Sequence, residues 1–179
     1  QKAKQEKEYK FYVLYDKIFL GYVLQEAYKS VKGNNSSPGI DGQSFADIKE
    51  YGEVKFLNEL QEELRKRTYK PQPVKRKMIE KENGGWRPLG IPTIKDRVAQ
   101  AACKIVIEPI FEADFDNSSH GFRPKRSAKG AIKEIRENLG KGNHEVYDAD
   151  LSKYFDTIPH EKLEIALRER VTDPRVLHI

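Results

Sequence analysis

The chain has 179 residues, of which 34% are charged and 37% hydrophobic, and it carries a net charge of +5. That length suits one domain, or one domain and part of a second, and no apolar run approaches the ~20 residues of a membrane-spanning helix. The single cysteine, Cys103, excludes a disulfide within these residues and suits a reducing compartment.

Residues 1–10 are polar and lysine-rich, without a signal-peptide pattern. Phe11 to Leu20 mixes aromatic and aliphatic residues (Phe11, Tyr12, Leu14, Tyr15, Phe19, Leu20), which predicts a segment packed onto the domain. Val23, Ala27 and Val31 share one helical face, so a helix is expected over Val23–Val31, ended by Gly33. Residues 34–42 are loop by composition, and their spacing alone reads as an ordinary connector. Val54, Leu57, Leu60 and Leu64 predict an amphipathic helix over Val54–Arg67.

The next stretch concentrates the charge. Arg65 to Lys81 holds eight basic residues (Arg65, Lys66, Arg67, Lys70, Lys75, Arg76, Lys77, Lys81) against one acid, Glu80, a balance of +7 in seventeen residues. Such a block attracts a polyanion with salt-sensitive affinity. Residues 74–81 read as a strand, Asn83-Gly84-Gly85 as a hairpin turn, and Trp86–Ile91 as the return strand. Lys81 and Arg87 flank the turn, where a point charge and a planar fork suit a phosphate. On these residues alone, solvated hairpin charges are an equal reading.

Lys95–Glu112 is expected to be a helix with Val98, Ala102, Ile105 and Val106 inward and Pro109 ending or kinking it. Cys103 reads as a structural thiol in that helix. His120 has no visible partner in its loop and reads as structural. Ser127 is a fair N-cap, followed by a helix lined by Ala131, Ile132, Ile135 and Leu139 and ended by Gly140 and Gly142. Val146–Leu151 reads as a short buried strand that points Asp148 and Asp150 to one face, with Asp156 beyond it. A carboxylate there is either a costly core defect or a ligand for a hard cation such as Mg2+. A last helix is expected over Glu161–Arg170, with Leu163, Ala166 and Leu167 inward. The sequence has no internal repeat, CxxC zinc site, P-loop or GxGxxG fingerprint.

Taken together, several stretches resemble the reverse transcriptases of group II introns, the intron-encoded maturases. They are Phe11-Tyr12-Val13-Leu14-Tyr15-Asp16-Lys17, Pro38-Gly39-Ile40-Asp41-Gly42, and Tyr69 to Arg76 leading into Gly85-Trp86-Arg87-Pro88-Leu89-Gly90-Ile91-Pro92-Thr93. Asp96-Arg97, Gln100-Ala101, Glu108 to Glu112, Gly121-Phe122-Arg123-Pro124 with Arg126-Ser127, Asp148 to Asp156 and Arg175-Val176-Leu177 follow in order. The resemblance implies an α+β fold: the fingers of a right-hand polymerase with the beginning of the palm, helix-rich with a fingers hairpin. It implies an N-terminal helical extension over residues 1–33, fingers over 34–143 and the first part of the palm over 144–179.

The same resemblance implies roles. Asp150 is similar to the first metal-binding, catalytic aspartate, and the Leu151 carbonyl to a further ligand of a two-Mg2+ site. Phe155 resembles the aromatic gate that excludes a 2′-hydroxyl, and Lys81 and Arg87 the cations that hold the dNTP triphosphate. Asp148 and Asp156 would be structural. Arg65, Lys66, Arg67, Lys70, Lys75, Arg76 and Lys77 would track nucleic acid. The implied partners are an RNA template, a DNA primer, dNTP and intron RNA, with no membrane, a homodimer left open, and a bacterial cytoplasmic location. The family also needs a Tyr-x-Asp-Asp motif, and this chain has no Asp-Asp pair. The expectation is therefore that these residues alone do not polymerise. Other readings are a module that recognises intron RNA, the reverse transcriptase of a CRISPR-associated system or another retroelement, and an inactive scaffolding relative. His120 stands where that family often has an aromatic residue.

Overall fold

The structure, a computed structural model, describes residues 2–34, 37–80, 82, 84–151 and 154–179, apart from the side chain of Asp156. Lys81 and Asn83 of the predicted hairpin end lie outside the described residues. The chain forms two compact units, each built from two separated stretches: residues 11–108 with 171–179, and residues 1–10 with 109–170. Among the described residues no helix is long and apolar enough to cross a membrane.

The core of the first unit comes from short helices. α1 (Lys2–Gln5) belongs to the other unit, so the core begins with α2 (Tyr15–Ile18), which buries Tyr15 and Ile18. α3 (Gly21–Gly33) contains the predicted Val23–Val31 helix and buries Val23, Leu24, Ala27, Tyr28 and Val31. α4 (Phe45–Tyr51) is a helix the apolar pattern does not announce. Its start is a capping box: Ser44 Oγ accepts from the Asp47 amide at 3.2 Å, and the Asp47 carboxylate accepts from the Ser44 amide at 2.8 Å. It stops at Gly52, whose φ of +106° suits glycine.

α5 (Glu53–Arg65) then starts at the turn that Gly52 makes, and this rotates its inner face. Phe56, Leu60 and Leu64 are buried, whereas Val54, expected inward, is 72% exposed. α6 (Ile94–Phe111) buries Ile94, Val98, Ala99 and Ala102, while Ile105 is exposed. Pro109 lies inside the helix, two residues before its end. In the last turn a proline still lacks its i−4 hydrogen bond, but few residues remain to be disrupted.

Residues 171–179 close this unit. The Phe11 carbonyl accepts from the Thr172 amide at 2.9 Å. The fully buried Asp173 accepts from the Leu14 and Tyr15 amides at 2.9 and 3.0 Å, and from the Arg175 guanidinium at 2.8 Å. Burial opposes its charge, but these bonds more than offset it and hold the carboxyl well below the usual carboxylate range.

The second unit contains α7 (Ala128–Gly140), α8 (Tyr154–Thr157) and α9 (His160–Arg168). Ser127 caps α7 as predicted, its hydroxyl accepting from the Gly130 amide at 3.2 Å. The inner face of α7 differs from expectation. Gly130, Ala131 and Glu134 are half-buried, while Ile132, Ile135 and Leu139 are exposed. The cause is a polar anchor, since His120 Nε2 lies 2.7 Å from Glu134 Oε2 and its ring packs over Gly130. His120 is thus held as a structural residue. In α9, Leu163 is exposed and Leu167 half-buried.

The predicted Val146–Leu151 strand is not formed. Residues 143–151 have no regular structure and are exposed. A strand exists only through a partner's ladder, and among the described residues none pairs with this stretch. Asp148 and Asp150 are therefore not set on one strand face. Arg170 is buried and reaches back to the start of the chain, donating to the Ala3 carbonyl at 3.0 Å, to the Lys7 carbonyl, and to Asp114 at 3.1 Å.

Asp173→Ala leaves the Leu14 and Tyr15 amides and the Arg175 fork without their acceptor, so it is expected to lower stability by about 3 kcal/mol, read by thermal unfolding at neutral pH. Because the folded carboxyl titrates below its unfolded value of about 3.9, the wild type should lose this contribution as pH falls below about 4. Asp173→Asn should show a flatter acid limb, and equal acid sensitivity of both proteins would contradict the assignment.

Candidate nucleic-acid interface

The basic block begins where α5 ends. The Arg67 amide bonds the Leu64 carbonyl at 3.1 Å and the Thr68 amide bonds the Glu63 carbonyl at 2.9 Å, the paired bonds of a Schellman cap. The left-handed residue of that cap is Arg67, with φ of +59°, where glycine is usual. Arg65 and Lys66 lie 2.9 and 3.3 Å from Glu62, as exposed pairs of small energetic weight. Lys70 is exposed.

β1 (Lys75–Glu80) and β2 (Trp86–Ile91) form the predicted antiparallel hairpin. Its register sets Lys75 opposite Ile91, Lys77 opposite Leu89 and Ile79 opposite Arg87. Opposite residues share a face, so Lys75, Lys77 and Arg87 lie on one side with Ile79, Leu89 and Ile91. Arg76 lies on the other side with Met78, Trp86 and Pro88. Nearly every residue of the hairpin is exposed.

Both feet of this hairpin end on one buried carboxylate. Asp96, in the first turn of α6, accepts from the Tyr69 hydroxyl at 2.7 Å and the Gln72 amide at 3.2 Å before β1. After β2 it accepts from the Thr93 hydroxyl at 2.7 Å, and Thr93 Oγ1 in turn accepts from the Asp96 amide at 3.1 Å. Burial, and then the bond to Asp96, push the Tyr69 hydroxyl pKa up. The Pro38 to Gly42 loop packs on the same place: a side-chain carbon at Gly39 would lie 2.6 Å from the Thr93 Cα. Arg97 holds the loop from the other side, donating to the Ser37 carbonyl at 2.8 Å. Thr93-x-x-Asp96 and Ser44-x-x-Asp47 are capping signatures readable in the sequence. That Asp96 also takes Tyr69 and Gln72 is not.

In the second unit Asp150 is exposed, as is Leu151. Phe155 stands on α8, 77% exposed, with its ring 5.8 Å from Tyr154 and edge-on to Phe122 at 6.1 Å. Phe122 is 92% exposed at φ of +55°, an unfavourable backbone for a bulky residue. It precedes Arg123, which grips Glu112 through a two-pronged contact at 3.0 and 2.8 Å. Among the described residues no three histidine, cysteine or carboxylate groups converge to hold a metal. Asp150 offers a single exposed carboxylate, so the described residues do not fit a complete Mg2+ site. Cys103 is half-buried and burial pushes its thiol up to about 11, far from a reactive thiolate.

The chain belongs to the reverse transcriptase (RNA-dependent DNA polymerase) family, whose profile matches residues 79–178. It is 40% identical over 152 residues to protein YkfC of Escherichia coli, an alignment covering 83% of this chain and 39% of that protein. It is 38% identical over 121 residues to the group II intron-encoded protein LtrA of Lactococcus lactis, covering 67% of this chain and 20% of LtrA. To a putative COX1/OXI3 intron 2 protein of Saccharomyces cerevisiae it is 34% identical over 145 residues, 81% of this chain and 16% of that protein. The chain therefore spans two fifths or less of these relatives, and the group II intron resemblance is supported by the name of LtrA.

Tyr69→Phe removes one donor to the buried Asp96 carboxylate and is expected to lower stability by about 2 kcal/mol, measured by urea unfolding, with faster proteolysis of residues 68–92. Unchanged stability and proteolysis would mean that Asp96 does not hold the hairpin.

Proposed function

We propose that this chain is the part of a group II intron-type reverse transcriptase that grips the template and the incoming nucleotide. The observation that carries this reading is the hairpin face on which Lys75, Lys77 and Arg87 stand together, rooted on Asp96. The family resemblance supports a division of labour. Arg87, with Lys81, meets the triphosphate of a dNTP, where a guanidinium fork and an ammonium neutralise charge that grows in phosphoryl transfer. Arg65, Lys66, Arg67, Lys70, Lys75, Arg76 and Lys77 follow the phosphates of the RNA template and DNA primer. Phe155 checks the sugar, and Phe122 and Tyr154 flank its ring. Asp150 and the Leu151 carbonyl supply a first part of a metal site whose remaining ligands the described residues do not provide. Residues 34–143 act as fingers and residues 144–179 as the first part of a palm.

The exposure of the basic block also supports a narrower reading, in which it acts as an RNA-binding module. Both readings share the same first measurement. Fluorescence anisotropy with a labelled RNA should show tight binding that weakens as salt rises. Lys75→Glu, Lys77→Glu and Arg87→Glu combined should cut affinity about tenfold or more and flatten the salt dependence. Asp150→Ala should bind RNA as the wild type does, and the 179-residue chain should give no Mg2+-dependent primer extension. Unaltered binding by the triple variant overturns the hairpin footprint; primer extension by the chain overturns the partial metal site.

A further inference from the structure

α7 carries a second basic face, separate in sequence from the hairpin block. Lys129, Lys133 and Arg136 stand at i, i+4 and i+7, one side of a helix. All three are exposed. Among the described residues neither Lys129 nor Arg136 has a carboxylate within ion-pair distance, and Lys133 has only Glu137, at 3.7 Å on the surface. The other acid of the helix, Glu134, faces His120 on the opposite side. Residues 123–136 hold six basic side chains against that one acid. Two of these, Arg123 and Arg126, are spent on internal carbonyls. The remaining four are Lys125, Lys129, Lys133 and Arg136, and Lys125 is exposed beside the N-terminus of α7, the positive end of the helix dipole.

The shape of this face also matters. Lys129, Lys133 and Arg136, together with Ser127, Gly130 and Ile132, line a shallow concavity of about 450 Å3. Ile132 is exposed there at 53%. The three cations span about 10 Å of helix axis, enough to meet more than one phosphate of a single strand. Cations along one side with an apolar floor suit a single strand, whose phosphates meet the cations while a base or ribose lies on the isoleucine.

We propose that this face of α7 is a second contact surface for single-stranded RNA, made through the phosphodiester backbone. The proposal rests on the nucleic-acid reading above and extends it to a part of the chain outside the hairpin block. An acidic protein segment is the competing occupant; Ile132, exposed beside the three cations, gives a base or ribose an apolar surface next to its phosphates, which favours the polynucleotide.

The test uses the 179-residue chain and a fluorescein-labelled single-stranded RNA of about 20 nucleotides, a length several times the ~4–16 nucleotide footprint of a typical single-strand site at its lower end. Two variants alter α7, one with Lys129→Glu, Lys133→Glu and Arg136→Glu, the other with glutamine at the same positions. A third carries Lys75→Glu, Arg76→Glu and Lys77→Glu. The altered α7 positions are exposed, so far-UV circular dichroism should match the wild type; if the glutamate set unfolds, the glutamine set decides. The expected result is that both α7 variants lose about two from the salt slope and about tenfold or more in affinity at low salt. The hairpin variant should show its own, separate loss. Wild-type binding by both α7 variants, with loss in the hairpin variant, overturns this inference and leaves the hairpin reading standing. No RNA binding by the wild type overturns both. Loss of binding to poly-glutamate with RNA binding intact makes the face a protein-docking surface and also overturns the inference.

Discussion

A single buried carboxylate anchors the exposed basic hairpin of this protein. An isolated two-stranded hairpin is marginal in water, and this one has almost no buried surface of its own. Its position is inherited from Asp96, which takes Tyr69 and Gln72 on the way in and Thr93 on the way out. A buried charge is costly unless its lone pairs are used, and here they are used by the two segments that must be held together. The same carboxylate sits in the first turn of α6, where the helix dipole favours negative charge. Gly39 completes the arrangement, because only a residue without a side chain lets its loop lie against Thr93. An exposed, basic, weakly self-supporting hairpin can thus present its charges outward while its feet stay fixed.

What could be read in the sequence follows from which forces were local. The hairpin was legible because alternation and an Asn-Gly-Gly turn are short-range signals. α3 was legible because Val23, Ala27 and Val31 repeat at helical spacing, and the Ser127 cap because capping is a matter of three residues. The inner faces of α5 and α7 were misread for physical reasons. On α5 a left-handed Gly52 reset the start of the helix, and on α7 a polar contact between His120 and Glu134 outweighed the isoleucine stripe. α4 was announced by a capping box and not by hydrophobic spacing.

The stretch from Val146 to Leu151 carried the strongest chemical signal, yet it takes no strand form. Its apolar alternation describes what a strand would bury, but pairing supplies the backbone bonds, and those belong to a partner and not to the sequence of one strand. Asp150 and Phe155 are therefore identified by motif, whereas Lys75, Lys77 and Arg87 are grouped by geometry as well. The second unit as a whole leans on polar anchors. Arg123 and Arg170 are its well-bonded residues, while α7 and α9 bury no side chain fully.

The way the two units interleave sets a timetable for folding. Residues 11–108 are completed by 171–179, and residues 1–10 belong with 109–170. Asp173 joins Leu14 and Tyr15 across nearly the whole chain, and Arg170 does the same for Ala3 and Lys7. Neither unit can close until its distant residues exist. At a synthesis rate of about 5–20 residues per second, Leu14 and Tyr15 wait roughly 8–32 s for Asp173. Contacts of such long sequence separation also slow the search for the native state. During that interval Leu14 and Tyr15, whose amides Asp173 holds in the folded unit, are open to capture by chaperones. Asp173, chemically a small detail near one end of the chain, is thus also the latch whose arrival ends this vulnerable period.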